Sequence, residues 1–159
     1  MANYDVANIC MNGHVVNAYT KLMPERGGGF CETCGERTIT ACPDCRHEIQ
    51  GPYQGAFVSN SDFQVPNFCR HCGKSYPWTE RKLQAARELI EGEQALAADE
   101  KLSLQADIND ITRDAPRTQP AAIRVKALLA KVPGAVGSAL RDILVDVASE
   151  AAKKTILRP

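Results

Sequence analysis

Seven cysteines and one histidine in the first half of the chain fall into four close pairs: Cys10 with His14, Cys31 with Cys34, Cys42 with Cys45, and Cys69 with Cys72. Three pairs are Cys-x-x-Cys, and His14 completes the fourth. Eight such donors in four pairs suit two tetrahedral zinc sites. No other feature restricts the fold as strongly. A ribbon of about 35 residues buries too little apolar surface to offset its chain entropy. Structural zinc supplies the shortfall, contributing on the order of 10–16 kcal/mol in peptides of this kind.

The pairs join most simply in series. Cys10, His14, Cys31 and Cys34 form the first quartet, with Val15, Val16 and Tyr19 suited to a strand and Gly27, Gly28 and Gly29 to a turn. Cys42, Cys45, Cys69 and Cys72 form the second. Its insert reads as a hairpin punctuated by Gly51, Pro52, Gly55 and Asn60-Ser61-Asp62, with Ile49, Tyr53, Phe57, Val58, Phe63 and Phe68 as its core. An interleaved cross-brace, with Cys10 and His14 joined to Cys42 and Cys45, is also compatible with the spacing. The serial arrangement is favoured because each long insert carries its own hairpin pattern. Gly35 and Gly73 directly follow a knuckle, where a left-handed backbone turns amides toward thiolates.

With 44% apolar and 24% charged residues, the composition is that of a folded chain. No apolar run approaches the roughly 18 residues needed to cross a bilayer, and MANYDVANIC lacks the pattern of a secretory signal. A cytoplasmic location is expected, where reduced thiols favour metal over disulfides. Net charge is zero but unevenly spread. Residues 1–79 carry six basic against seven acidic residues, residues 80–115 five against nine, and residues 116–159 eight against three. The metal-binding half is therefore not a basic module and has little electrostatic attraction for nucleic acid. The basic last third reads first as a solvated face that balances the acidic segment before it.

Four protein donors per quartet leave no open coordination position, so a catalytic zinc is not expected. The deaminase pattern of His-x-Glu with Pro-Cys-x-x-Cys is absent, as Cys42-Pro43-Asp44-Cys45 and His47-Glu48 make plain. No nucleophile elbow, phosphate-binding glycine loop or zinc-protease motif occurs either. His47 and His71 are left over beside knuckles, where polar side chains are ordinary. Tyr76-Pro77-Trp78 forms an aromatic step that would either pack the ribbon onto the next helix, the preferred reading, or stack a nucleobase.

The second half reads as four helices. The first, over 79–92, opens with Thr79 as its cap and Glu80, and buries Leu83, Ala86, Leu89 and Ile90. The second covers 98–114, with Leu102, Leu104, Ile108 and Ile111 inward. The third covers 120–132, with Ile123, Ala127, Leu128 and Ala130 inward. A last helix over 135–157 has the cleanest periodicity, with Val136, Leu140, Ile143, Leu144, Val147 and Ala151 on one face. Short loops between helices of this size imply a bundle.

The chain resembles an uncharacterised bacterial family of tandem zinc-ribbon proteins with a C-terminal helical region. The likeness lies in Asn8-Ile9-Cys10-Met11-Asn12-Gly13-His14, Phe30-Cys31-Glu32-Thr33-Cys34-Gly35, Cys42-Pro43-Asp44-Cys45, Cys69-Arg70-His71-Cys72-Gly73-Lys74 and Tyr76-Pro77-Trp78-Thr79. It continues through Asp114-Ala115-Pro116-Arg117-Thr118 and Ala148-Ser149-Glu150-Ala151. The resemblance implies the build and a bacterial cytoplasmic origin, and no activity.

The expected protein is thus small and α+β. A tandem zinc-ribbon module over 1–78 carries two structural zinc ions on Cys10, His14, Cys31, Cys34, Cys42, Cys45, Cys69 and Cys72. A helical bundle follows over 79–159. Its expected role is that of a non-enzymatic adaptor that binds another protein, or a second copy of itself, through the helical half. The alternative is nucleic-acid binding by Arg37, Arg46, Arg70 and Lys74 near the knuckles, Trp78 as a stacking surface, and Arg117, Arg124 and Lys126 on the helices.

Overall fold

The computed structural model describes residues 3–159 and divides into two compact units, Met1–Glu80 and Arg81–Pro159. The first unit is built from short antiparallel strands: β1 (Tyr4–Val6), β2 (Asn8–Cys10), β3 (Val15–Asn17), β4 (Thr38–Ile39) and β5 (Gln50–Tyr53). One sheet has the order β3-β2-β4, and the other pairs β1 with β5. The tight turn Cys10–Gly13 makes β2 and β3 a hairpin; the strand expected at Val15 and Val16 is present, but it pairs with β2 ahead of the insert and not with a return run after Gly27–Gly29.

The second insert does not close on itself as expected. Its strand β5 pairs with β1, and the Ala7 amide donates to the Ile49 carbonyl at 2.9 Å. The return run from Phe57 to Phe68 forms no strand. Ser59, Ser61 and Asp62 satisfy one another across a turn, and Pro66 lacks the amide that a ladder needs. Asn60 ties this turn to β3: it accepts from the Ala18 amide and donates to the Val16 carbonyl. Of the expected hairpin core, Ile49 is buried, whereas Phe57 is 89% exposed and Tyr53 lies at the surface. The backbones meet closely at Gly51, where a β-carbon would sit 2.5 Å from the Ala18 carbonyl oxygen, so only glycine fits.

Ala7, Ile9, Cys42, Ile49, Cys69, Tyr76 and Trp78 form the core of this unit. Trp78 is 1% exposed, stacks on Tyr76 with ring centroids 4.5 Å apart, and donates its indole N–H to the Pro66 carbonyl. A side chain committed in this way has no face left for a base, which removes Trp78 as a stacking surface. Asp5 is also buried. Its carboxylate accepts the amides of Val6, Lys21 and Leu22, and so fixes the loop after β3.

The helices are α1 (Pro77–Gly92), α2 (Ala98–Asp110), α3 (Thr118–Leu129), α4 (Gly134–Val147) and α5 (Glu150–Leu157). Helix α1 starts at Pro77 and not at Thr79, because proline at a first helical position brings a preset φ. The Thr79 hydroxyl donates to the Asn67 carbonyl and does not cap its own helix. The single last helix expected over 135–157 is two helices. Ala148 is extended (ψ 148°), the Ser149 hydroxyl caps α5 through the Ala152 amide, and the Ser149 amide donates to the Ile111 carbonyl. Serine offers a cap as readily as a helical residue, and periodicity alone cannot separate the two.

The core of the second unit draws on Leu83, Ala86 and Ile90 of α1, Leu104 and Ile108 of α2, Leu140, Leu144 and Val147 of α4, and Ile156 of α5. Helix α3 buries Ala121, Ala122, Val125 and Leu129 and leaves Ile123 exposed, so its inward face is rotated from the expected one. Close packing of helices favours small side chains there over the larger Ile123. Leu102, expected inside, is 69% exposed. Part of the basic charge of the last third is paired within the unit. Arg117 pairs with Asp110, Arg124 with Asp107, Lys131 with Glu100 and Lys153 with Glu150. Among the described residues, no helix is long and apolar enough to cross a membrane.

Candidate metal centres

Four knuckles carry the eight candidate donors, and three of them share one backbone design. The amides of Cys31, Cys42 and Cys69 donate to the carbonyls of Glu36, His47 and Lys74, five residues on. The carbonyls of the same cysteines accept from the amides of Gly35, Arg46 and Gly73, four residues on. This closure requires a left-handed residue at the fourth step, and φ is +72° at Gly35, 65° at Arg46 and +75° at Gly73. The two glycines are the ones whose place after a knuckle predicted it. Arg46 adopts the same conformation without that freedom. The knuckle of Cys10 is a residue tighter, closed by Cys10 onto His14 and Gly13 onto Cys10.

The structure gathers the donors into two groups, Cys10/His14/Cys31/Cys34 and Cys42/Cys45/Cys69/Cys72, with all donor atoms of a group within 4.8 Å of one another. The serial arrangement is therefore the one present. In each pair the first residue is buried, while the second lies nearer the surface.

The spacing between donors separates a metal cage from a disulfide. A tetrahedral centre with metal–sulfur bonds of about 2.3 Å places its sulfurs about 3.8 Å apart, whereas a disulfide brings them to about 2.05 Å. Cys10 and Cys34 are 3.8 Å apart, Cys42 and Cys72 3.8 Å, and Cys45 and Cys69 3.7 Å. A nitrogen donor at about 2.0–2.1 Å shortens the expected edge to about 3.5 Å. His14 presents Nδ1 at 3.4 Å from the Cys10 sulfur and 3.7 Å from that of Cys31. Both groups thus have the size of a tetrahedral metal site, and each could hold one metal ion.

Backbone amides prepare the sulfurs for a cation. Burial by itself raises the Cys31 thiol, but amides of Cys34 and Thr33 donate to it and bring it down to about 6. Cys69 is likewise opposed by burial and brought to about 6 by the amides of Cys72 and His71. Cys45 and Cys10 move the other way. The His47 amide favours a thiolate at Cys45, yet burial and the sulfurs of Cys69, Cys72 and Cys42 outweigh it and push Cys45 up to about 12. Burial chiefly raises Cys10. A divalent cation shared among four sulfurs removes this mutual repulsion and displaces the remaining protons.

Two supporting groups escaped the sequence reading. The Asn12 side-chain amide reaches the Cys34 sulfur at 3.5 Å, and its place in the turn after Cys10 was the available signal. Tyr76 lies against Cys69. Burial first, then the charge and hydrogen bond of that sulfur, raise its phenol well above the ordinary value. Outer groups of this kind orient a ligand, and their loss typically costs 10- to 100-fold in metal affinity. Tyr76→Phe should therefore weaken metal at the second quartet about tenfold in competition with a chelating dye, leaving the first quartet unchanged. Equal retention at both quartets would show the phenol to be a packing group only.

His47 and His71 are not donors to either group. Their rings stack on each other at 4.5 Å and 9° beside the second quartet. Lys74 is held by Asp44 at 2.9 Å, which joins the two knuckles of that quartet. Of the cations considered for nucleic acid, Lys74, Arg117 and Arg124 are thus in ion pairs.

The family model described as an uncharacterized protein conserved in bacteria (DUF2321) matches residues 3–156. No curated protein and no solved structure matches the chain.

Proposed function

The chain belongs to this bacterial DUF2321 family, and on that premise we propose that it is a non-enzymatic, cytoplasmic adaptor whose two metal sites hold structural zinc and whose ribbon unit docks another protein. The observation that carries this reading is the completeness of both donor sets. Four protein atoms already within 4.8 Å of one another leave a metal no position for substrate or water, which suits zinc as a staple and not as a Lewis acid. Zinc is favoured over other metals by the thiolate and imidazole donors and by tetrahedral spacing.

The docking surface is assigned to the ribbon unit and not to the basic last third, where Arg117, Arg124, Lys131 and Lys153 already have partners. Phe57, at 89% exposure, lies close in sequence to Tyr53, whose ring meets that of Tyr4 edge-on at 5.6 Å. Exposed aromatics of this kind are the usual centres of protein interfaces.

Native mass spectrometry of the protein purified from its own bacterium tests the reading. Two zinc ions and a stoichiometric protein partner are expected. A bound nucleic acid, or a metal other than zinc, would overturn it. Phe57→Ser should leave both zinc ions and the melting temperature unchanged and abolish co-purification of the partner; undiminished capture by that variant would remove Phe57 from the interface.

A further inference from the structure

One groove of the first unit collects cations that the metal sites do not explain. It has a volume of about 500 Å³ and is lined by Arg37, Thr38, Ile39, Thr40, Cys42 and Arg46, among others. No carboxylate lines it. Arg37 and Arg46 are both exposed, and among the described residues neither is in an ion pair. The carboxylates nearest in sequence do not line the groove. Glu36 accepts the backbone amide of Arg37 at 3.1 Å, Asp44 is held by Lys74, and Glu48 by Lys21. Thr40 adds an exposed hydroxyl.

The backbone of Arg46 supplies a second, independent observation. Three knuckles of this chain need a left-handed residue at the same step, and two of them use glycine there. The third places arginine in a conformation that a β-carbon disfavours, and does so where its side chain lines the groove. The fold would be served better by glycine, so the side chain is what this position keeps.

We propose that the groove is a phosphoryl-binding site in which the Arg37 and Arg46 guanidiniums grip the phosphate oxygens. Planar guanidinium forks match those oxygens in charge and geometry, and two of them lining one groove can share a single phosphoryl group. The groove is open to water, so the affinity for the bare anion is modest, with a Kd of about 1 mM. This goes beyond the docking reading and stands without it, because inorganic phosphate tests the groove with no partner present. A competing role for Arg46 is to offset the negative charge of a metal held by four thiolates, since Cys42 lines the same groove.

Isothermal titration of the full, zinc-loaded protein separates these roles, with inorganic phosphate as the first probe and a phosphoserine peptide as the second. Saturable phosphate binding is expected. Arg46→Gly should weaken it at least tenfold while both zinc ions stay bound and the melting temperature rises. Arg37→Gln should weaken it comparably. A peptide that binds more tightly than inorganic phosphate, and only when phosphorylated, supports the site and makes a phosphorylated protein segment its source. Binding no tighter than that of the free anion supports the site and makes a small phosphate ester the source. No saturation up to about 20 mM phosphate overturns the proposal, as does unchanged binding in Arg46→Gly. Loss of the second zinc in that variant without loss of phosphate binding assigns Arg46 to the metal and overturns it too. Single-stranded RNA whose affinity climbs steadily with length would replace a one-phosphate site by backbone tracking.

Discussion

Stripping the metal should unfold the first unit of this protein while the helices of the second keep their structure. In the first unit, strands of two to four residues surround a core of seven buried side chains, and two of those seven are the candidate ligands Cys42 and Cys69. Such strands have little stability of their own. Without a cation the clustered sulfurs face one another at 3.7–3.8 Å with nothing to hold them. Metal binding free energy is here folding free energy, about 10–16 kcal/mol per site for structural zinc. The second unit has a separate apolar core with no cysteine in it. Circular dichroism during titration with a strong chelator should therefore show loss of the strand and turn signal with most of the helical signal retained. Protection of Ala7 and Ile49 amides from hydrogen exchange should vanish together with the metal. Persistence of that protection in the metal-free protein would mean that the strands fold unaided.

The same physics ranks the cysteines. Cys72 is exposed and Cys42 is buried in the shared core. Cys72→Ser should release one metal ion and leave the first quartet loaded. Cys42→Ser puts a hydroxyl in the core as well, and should weaken both quartets. The β1–β5 and β2–β4 pairings carry that damage from one to the other.

The largest effect expected in the second unit comes from removing Arg124. Asp107 on α2 is buried, and Arg124 on α3 meets it with two parallel bonds, Nε to Oδ2 at 2.8 Å and a terminal nitrogen to Oδ1 at 2.6 Å. The carboxylate raises the Arg124 guanidinium above its ordinary range by this hydrogen bonding and charge. Arg124→Met leaves the buried Asp107 carboxylate without its partner and should lower the urea midpoint of the second unit, by less than breaking a fully enclosed pair would, because the Arg124 side chain is half exposed to water. Taking both groups away, as Asp107→Leu with Arg124→Met, should recover most of that loss, because the penalty belongs to the orphaned charge and not to the missing pair. Urea unfolding followed at a helical probe decides between them. A double variant as unstable as the single one would show the pair itself to be stabilising.

The metal sites were legible because their signal is local. Cys-x-x-Cys places two donors on one turn, and a glycine after the second reports the left-handed step that closes it. Arg46 breaks that rule, since no side-chain pattern announces a positive φ. Asp5 and Asn60 were equally silent. One is buried beneath three amides and the other bonds across more than 40 residues, and nothing beside either in sequence signals those partners. In the helical unit, element type followed from periodicity, while faces did not. Ile123 is more apolar than Ala121 or Ala122, yet α3 turns the alanines inward.

The sequence by itself determined the eight donors, the small α+β build, the helical second half and the absence of a long apolar span. Each rests on interactions between residues a few positions apart, which spacing and composition record. Only the tertiary structure decided that the quartets are serial, that β5 reaches back to β1, that Trp78 is buried and that the last helix breaks at Ala148-Ser149. Those outcomes depend on competition between distant backbone groups for hydrogen-bond partners and between side chains for the same interior. The winner of such a competition is set by what the rest of the chain brings to it.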